Sequence, residues 1–76
     1  MTAEELEKWY QSNPRKSTVV YYWYERKDGK LLARACERNP DVGALAGLAW
    51  KYAREGKAVI YQRFSKDTCE YILKKI

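Results

Sequence analysis

The chain has 76 residues, 46% hydrophobic and 14% aromatic, which predicts one domain near the lower size limit for folding without disulfides or metals. Fifteen Lys and Arg against ten Asp and Glu leave a net charge of +5. Two cysteines, Cys36 and Cys69, exclude a disulfide framework, and the absence of His argues against a zinc site and against Ser-His or Cys-His catalysis.

The charge is uneven. Residues 1–12 hold Glu4, Glu5 and Glu7 against Lys8, so the excess of positive charge lies in the rest of the chain. A basic body suits nucleic acid or another acidic partner, and equally serves solubility. No P-loop, GxGxxG or metal-ligand cluster occurs, so neither an enzyme nor a bound cofactor is expected. The acidic start Met1-Thr2-Ala3-Glu4-Glu5 lacks the apolar stretch of a secretion signal, and no segment has the length of a membrane span. The expected setting is a reducing cytoplasm.

Thr2-Ala3-Glu4-Glu5 reads as a capping box, followed by Leu6, Trp9 and Tyr10 on one stripe of a short helix that Ser12-Asn13-Pro14 ends. Residues 17–26 are β-branched and aromatic, a strand. Lys27-Asp28-Gly29 reads as a hairpin turn, with Gly29 supplying a positive φ, and residues 30–38 as the returning strand. Asn39-Pro40-Asp41 opens a helix that runs to about Glu55 and stops at Gly56. Its inward stripe is Val42, Leu45, Ala46, Ala49, Tyr52 and Ala53. A third strand over 57–64 and a last helix from Ser65 or Asp67 to Ile76 complete the chain. That helix presents Cys69, Ile72, Leu73 and Ile76 inward, with Lys74 and Lys75 at its negative end.

The expected fold is α+β, in the order αββαβα. Its three-stranded antiparallel sheet has the order 2-1-3, with the most apolar strand central and helices over one face. The connection from strand two to strand three is a crossover, for which a right hand is expected.

Function then turns on the face the helices leave open. Strand two presents either Leu31, Ala33 and Ala35 or Leu32, Arg34, Cys36 and Arg38, and the arginine row belongs outside. A two-residue turn sets Val19, Tyr21 and Trp23 beside that row, and a three-residue loop sets Val20, Tyr22 and Tyr24 there. Both registers place aromatics beside Arg34 and Arg38. In strand three, Ile60 and Phe64 point inward and leave Tyr61 and Arg63 outside. Aromatics interleaved with Arg form a platform on which bases stack and guanidinium groups meet phosphates. The same residue types are enriched where proteins meet proteins, and they also shield a sheet through cation–π contacts.

Candidate partner-binding residues are therefore Arg34, Arg38, Tyr61, Arg63, Trp23 and Tyr21. A second candidate surface is the outward side of the middle helix, at Gly43, Gly47, Lys51 and Arg54. Cys36, between Arg34 and Arg38, is placed to be a reactive thiol if exposed, and Glu25 and Glu37 read as solvated charges.

The segment from Val19 to Phe64 resembles, in layout, small phage-encoded proteins that include some anti-CRISPR inhibitors. The resemblance rests on the aromatic strand, the Lys27-Asp28-Gly29-Lys30 turn, the Asn39-Pro40-Asp41 start and the Ala/Gly-rich helix Gly43–Ala49. It implies a stand-alone protein that binds a host complex such as a CRISPR surveillance complex, in the host cytoplasm. The basic charge departs from the acidic members that imitate DNA.

The expectation is a non-enzymatic protein that docks on a partner protein or nucleoprotein through an aromatic, arginine-bearing sheet face. Direct binding of single-stranded nucleic acid by that face is the alternative. No membrane partner is expected, and the choice between monomer and homodimer stays open.

Overall fold

A computed structural model describes residues 1–29 and 32–76. Helix α1 (Ala3–Ser12) leads into strand β1 (Thr18–Glu25), and a single 3-10 turn (Arg26–Asp28) follows. Helices α2 (Leu32–Arg38) and α3 (Pro40–Arg54) come next, then strands β2 (Ala58–Phe64) and β3 (Thr68–Lys75). The fold is α+β, with three helices packed on an antiparallel three-stranded sheet, as the sequence suggests.

Two elements differ from the sequence reading, and the strand order differs with them. Residues 32–38 form a helix where a strand is expected; Lys30 and Leu31, the start of that expected strand, lie outside the described residues. Leu-Ala-Arg-Ala-Cys-Glu-Arg contains no β-branched residue and is built of good helix formers. Gly29 does take a positive φ, +60°, but it closes the 3-10 turn instead of a hairpin. Residues 68–75 form a strand where a helix is expected, joined to β2 by a tight turn in which the Ser65 N–H donates to the Thr68 carbonyl at 2.9 Å. The sheet order is β1-β3-β2, so the last strand is central and the aromatic strand β1 is an edge. The crossover runs from β1 through α2 and α3 to β2, and the two strands it joins are parallel, flanking β3.

The register fixes which side chains meet the helices. Val19, Leu73 and Ile60 form one cross-strand row, and Tyr22, Tyr71 and Gln62 the next. An irregularity between Val20 and Tyr22 accommodates Tyr21 as an extra residue, which lets Tyr21 turn into the core at 4% exposure. Against this face pack Leu6 of α1 and Leu45, Ala49 and Tyr52 of α3. The expected inward stripe of α3 holds, with Val42, Ala46 and Ala53 half-buried beside the three buried residues. Tyr10 stacks on Tyr52 with ring centroids 4.3 Å apart.

The caps follow the sequence. The Thr2 hydroxyl accepts from the Glu5 N–H at 3.2 Å while the Glu5 carboxylate accepts from the Thr2 N–H at 2.9 Å. Asn39 accepts from the Asp41 N–H at 3.0 Å. Lys75 is also at a helix's negative end, though not that of its own element. Its ammonium donates to the carbonyls of Tyr10 and, at 2.8 Å, Asn13, and lies 4.4 Å from the Tyr10 ring centroid. It thereby ties the end of α1 to the central strand.

A central strand is bonded on both sides, so its amides open only with the whole sheet. Hydrogen exchange should be slowest at residues 69–73 and faster at 18–24 and 58–64. Slowest exchange at residues 18–24 instead would contradict the β1-β3-β2 order.

Candidate functional site

The face of the sheet turned away from the helices is built from the alternate residues of the three strands. Its rows are Trp23, Glu70 and Arg63; then Val20, Ile72 and Tyr61; then Thr18, Lys74 and Val59. Glu25 and Thr68 make a further, incomplete row. Ile72 lies at the centre and is only 2% exposed, screened by the neighbours that flank it in register. Around it Trp23 is 58%, Tyr61 43% and Val59 48% exposed, which is high for large apolar side chains in so small a fold.

One ion pair stands within this face. The Arg63 guanidinium donates through Nε and Nη2 to one oxygen of Glu70, at 2.8 and 2.7 Å, across the β2–β3 ladder. Glu25 pairs with Lys27 at 3.4 Å, and Lys74 is exposed. The four ionised groups standing on the face, Glu25, Glu70, Arg63 and Lys74, sum to zero. At one end of the face Arg15 and Lys16 line a hollow together with Val59 and Lys74, so positive charge borders it there.

The structure separates the six residues that the sequence brings together. Trp23, Tyr61 and Arg63 share the open face. Arg34 and Arg38 do not, because they sit one turn apart on α2, in the helical layer. There they line a surface cavity of about 360 Å³ with Tyr22, Asp28, Gly29 and Ala35. Tyr21 is buried in the core. Neither expected hairpin register applies, because β1 pairs with β3. Its open-face residues Val20 and Trp23 are out of step, owing to the bulge between them.

Of the second candidate surface, Gly47, Lys51 and Arg54 are exposed on α3, whereas Gly43 faces α2. A Cβ on Gly43 would stand 3.5 Å from the Cys36 carbonyl oxygen. Cys36 is half-buried at this α2–α3 contact, with its thiol 3.9 Å from the Val42 carbonyl, and Cys69 is buried. Two exposed aromatics were not singled out from the sequence. Trp50 is 59% exposed on α3, and its place outside that helix's inward stripe was the signal for it. Phe64 is 63% exposed because the helices do not reach the end of β2, which no local pattern reveals.

Among the described residues, no group of three or more Cys, Asp or Glu is arranged to hold a metal, and no helix is long and apolar enough to cross a membrane. Burial raises the Tyr21 hydroxyl to about 12, and it pushes Tyr22, Tyr52 and Tyr71 upward as well. No family model matches the chain, and neither a curated protein nor a solved structure matches it.

Proposed function

We propose that this chain is a non-enzymatic binding protein that docks on a partner protein, free or within a nucleoprotein complex, through the open face of its sheet. The observation that carries this reading is the exposure of Trp23 and Tyr61 around a buried Ile72, on a face whose charges sum to zero. Large aromatics around an apolar centre, with the central arginine neutralised by its own Glu70, match the core of a protein interface. A surface for single-stranded nucleic acid needs unpaired cations next to its stacking rings. Here Arg63 is held by Glu70 and Arg34 and Arg38 lie in the helical layer, which leaves Lys74, at one end of the face, as its one cation outside an ion pair among the described residues. The sequence resemblance of residues 19–64 to phage-encoded inhibitors implies the same mode, a stand-alone chain that works by occupying a surface of a larger complex. The αββαβα layout behind that resemblance is not the element order of this fold.

The test uses the partner that co-purifies from the native host after nuclease digestion, titrated with purified protein. Trp23→Ala should weaken binding by about 2 kcal/mol, roughly thirty-fold, as expected for an aromatic anchor. Arg34→Ala combined with Arg38→Ala should change it less than about threefold. Purified protein should bind free single strands weakly, without the salt slope of roughly −2 that three phosphate contacts impose. A slope near −2 that the arginine substitutions flatten, with Trp23→Ala silent toward the partner, would replace this reading with direct nucleic-acid binding.

A further inference from the structure

The sheet has two edges, and they are built differently. β1 carries a bulge, a device that twists an edge away from further pairing. β2 has an unbroken register with β3 and contains neither Pro nor a bulge. Its middle, Ile60-Tyr61-Gln62, is uncharged, and four consecutive residues from Tyr61 to Phe64 are exposed.

The hydrogen bonds at both ends of the β2–β3 ladder tell which backbone groups this edge offers. The Ser65 N–H donates to the Thr68 carbonyl, and the Ile76 N–H to the Lys57 carbonyl. In an antiparallel ladder the bonded pairs recur every second residue. The odd-numbered residues 59, 61 and 63 therefore bond to β3, and the even-numbered residues 60, 62 and 64 aim their N–H and C=O groups outward. Ala58 is buried at the start of the strand, which leaves Ile60, Gln62 and Phe64 as the free template.

We infer that β2 pairs antiparallel with β2 of a second copy of this chain, about a two-fold axis at Gln62, to make a continuous six-stranded sheet. A second copy fits because the strand is complementary to itself in this register. Gln62 meets Gln62 of the second copy, and Ile60 meets the second copy's Phe64 on the helix side. That contact covers the most exposed apolar ring of the sheet. On the open side Tyr61 meets the second copy's Arg63, a cation set against a ring rather than against another cation. Arg63 is the one charge in residues 60–64, and its own Glu70 already neutralises it. Two chains of net charge +5 can therefore approach along this edge without like charges meeting. The contact is isologous and closes at two subunits.

Sedimentation velocity of the purified full chain over a micromolar to millimolar range provides the test, with Gln62→Pro as the variant. Proline removes a single N–H at position 62, one that the fold itself does not use, and an edge strand tolerates it there. The expected result is a concentration-dependent dimer for the wild type. For Gln62→Pro, circular dichroism should be unchanged and the dimer dissociation constant at least about tenfold higher. Gln62→Cys, in a Cys36→Ser background, should oxidise to a covalent dimer, because residues in a hydrogen-bonded antiparallel pair stand about 5.5 Å apart at Cα, within disulfide reach. A wild type that stays monomeric across the whole range, or a dimer that Gln62→Pro leaves intact, overturns the inference. Gln62 lies on the helix side of the sheet, so either result leaves the Trp23 test of the open face unaffected.

Discussion

Leu73→Ala should remove most of the stability of this fold. Leu73 is fully buried in the central strand, with Val19 and Ile60 as its cross-strand neighbours and the α1 and α3 side chains above it. Truncating a buried Leu loses its transfer free energy and leaves a cavity that a close-packed core fills only in part, at a cost of about 3–4 kcal/mol. A domain of this size has a total stability near 5 kcal/mol, so the variant should be partly unfolded at room temperature. Urea denaturation followed by circular dichroism measures the loss. The exposed neighbour Lys74 supplies the contrast, since Lys74→Ala should change stability by less than about 0.5 kcal/mol. Comparable losses at the two positions would refute the alternating strand.

The second large effect is alkaline destabilisation. Burial raises the hydroxyl of Tyr21 from the ordinary tyrosine value of 10.0 to about 12, with Tyr71 and Cys36 adding to it. The neutral, protonated form is the one the core accepts, so between those two values the folded state holds a proton that the unfolded state has lost. Stability is thus unaffected below pH 10 and falls as pH rises, by about 1.4 kcal/mol per unit. Across the window Tyr21 alone accounts for about 3 kcal/mol. Tyr22, Tyr52 and Tyr71 are shifted in the same direction, chiefly by burial, and steepen the loss. Urea midpoints measured from pH 8 to pH 11.5 should fall sharply above pH 10 in the wild type and less in Tyr21→Phe. Superimposable curves for the two proteins would show that folding does not raise the Tyr21 hydroxyl above its ordinary value.

The same residue marks how far the sequence reaches. Tyr21 and Trp23 share one strand and one parity, and alternation alone assigns them to the same face. The bulge in β1 breaks that parity, because the extra residue lets Tyr21 turn inward while Trp23 stays on the open face. A bulge answers to the neighbouring strand, and β3 lies more than forty residues further along the chain. In β2 no bulge intervenes, and there the parity held: Ile60 is half-buried on the helix side, and Tyr61 and Arg63 stand on the open face. Phe64, expected inward, is 63% exposed because the helices stop short of it.

What the sequence determined by itself are the features set within a few residues. Thr2 and Glu5 form their capping box, Asn39 caps α3, Gly29 takes its positive φ, and the stripe of Leu45, Ala49 and Tyr52 faces the core. Each is decided by local sterics and hydrogen bonds that any fold would have to respect. Tertiary structure alone decided the rest. Cys69, Ile72, Leu73 and Ile76 satisfy the spacing of a helix stripe, while Cys69, Tyr71 and Leu73 satisfy that of a strand. A strand buried on both faces shows consecutive apolar residues, so periodicity loses its power to discriminate there. Ile72 and Leu73 are both buried because one is screened on the open face and the other packs under the helices, with a strand bonded on either side. Placing β3 at the centre leaves residues 32–38 to fold as the helix their Leu, Ala, Arg and Glu favour. That in turn carries Arg34 and Arg38 away from the sheet, and leaves the open face aromatic and neutral instead of basic.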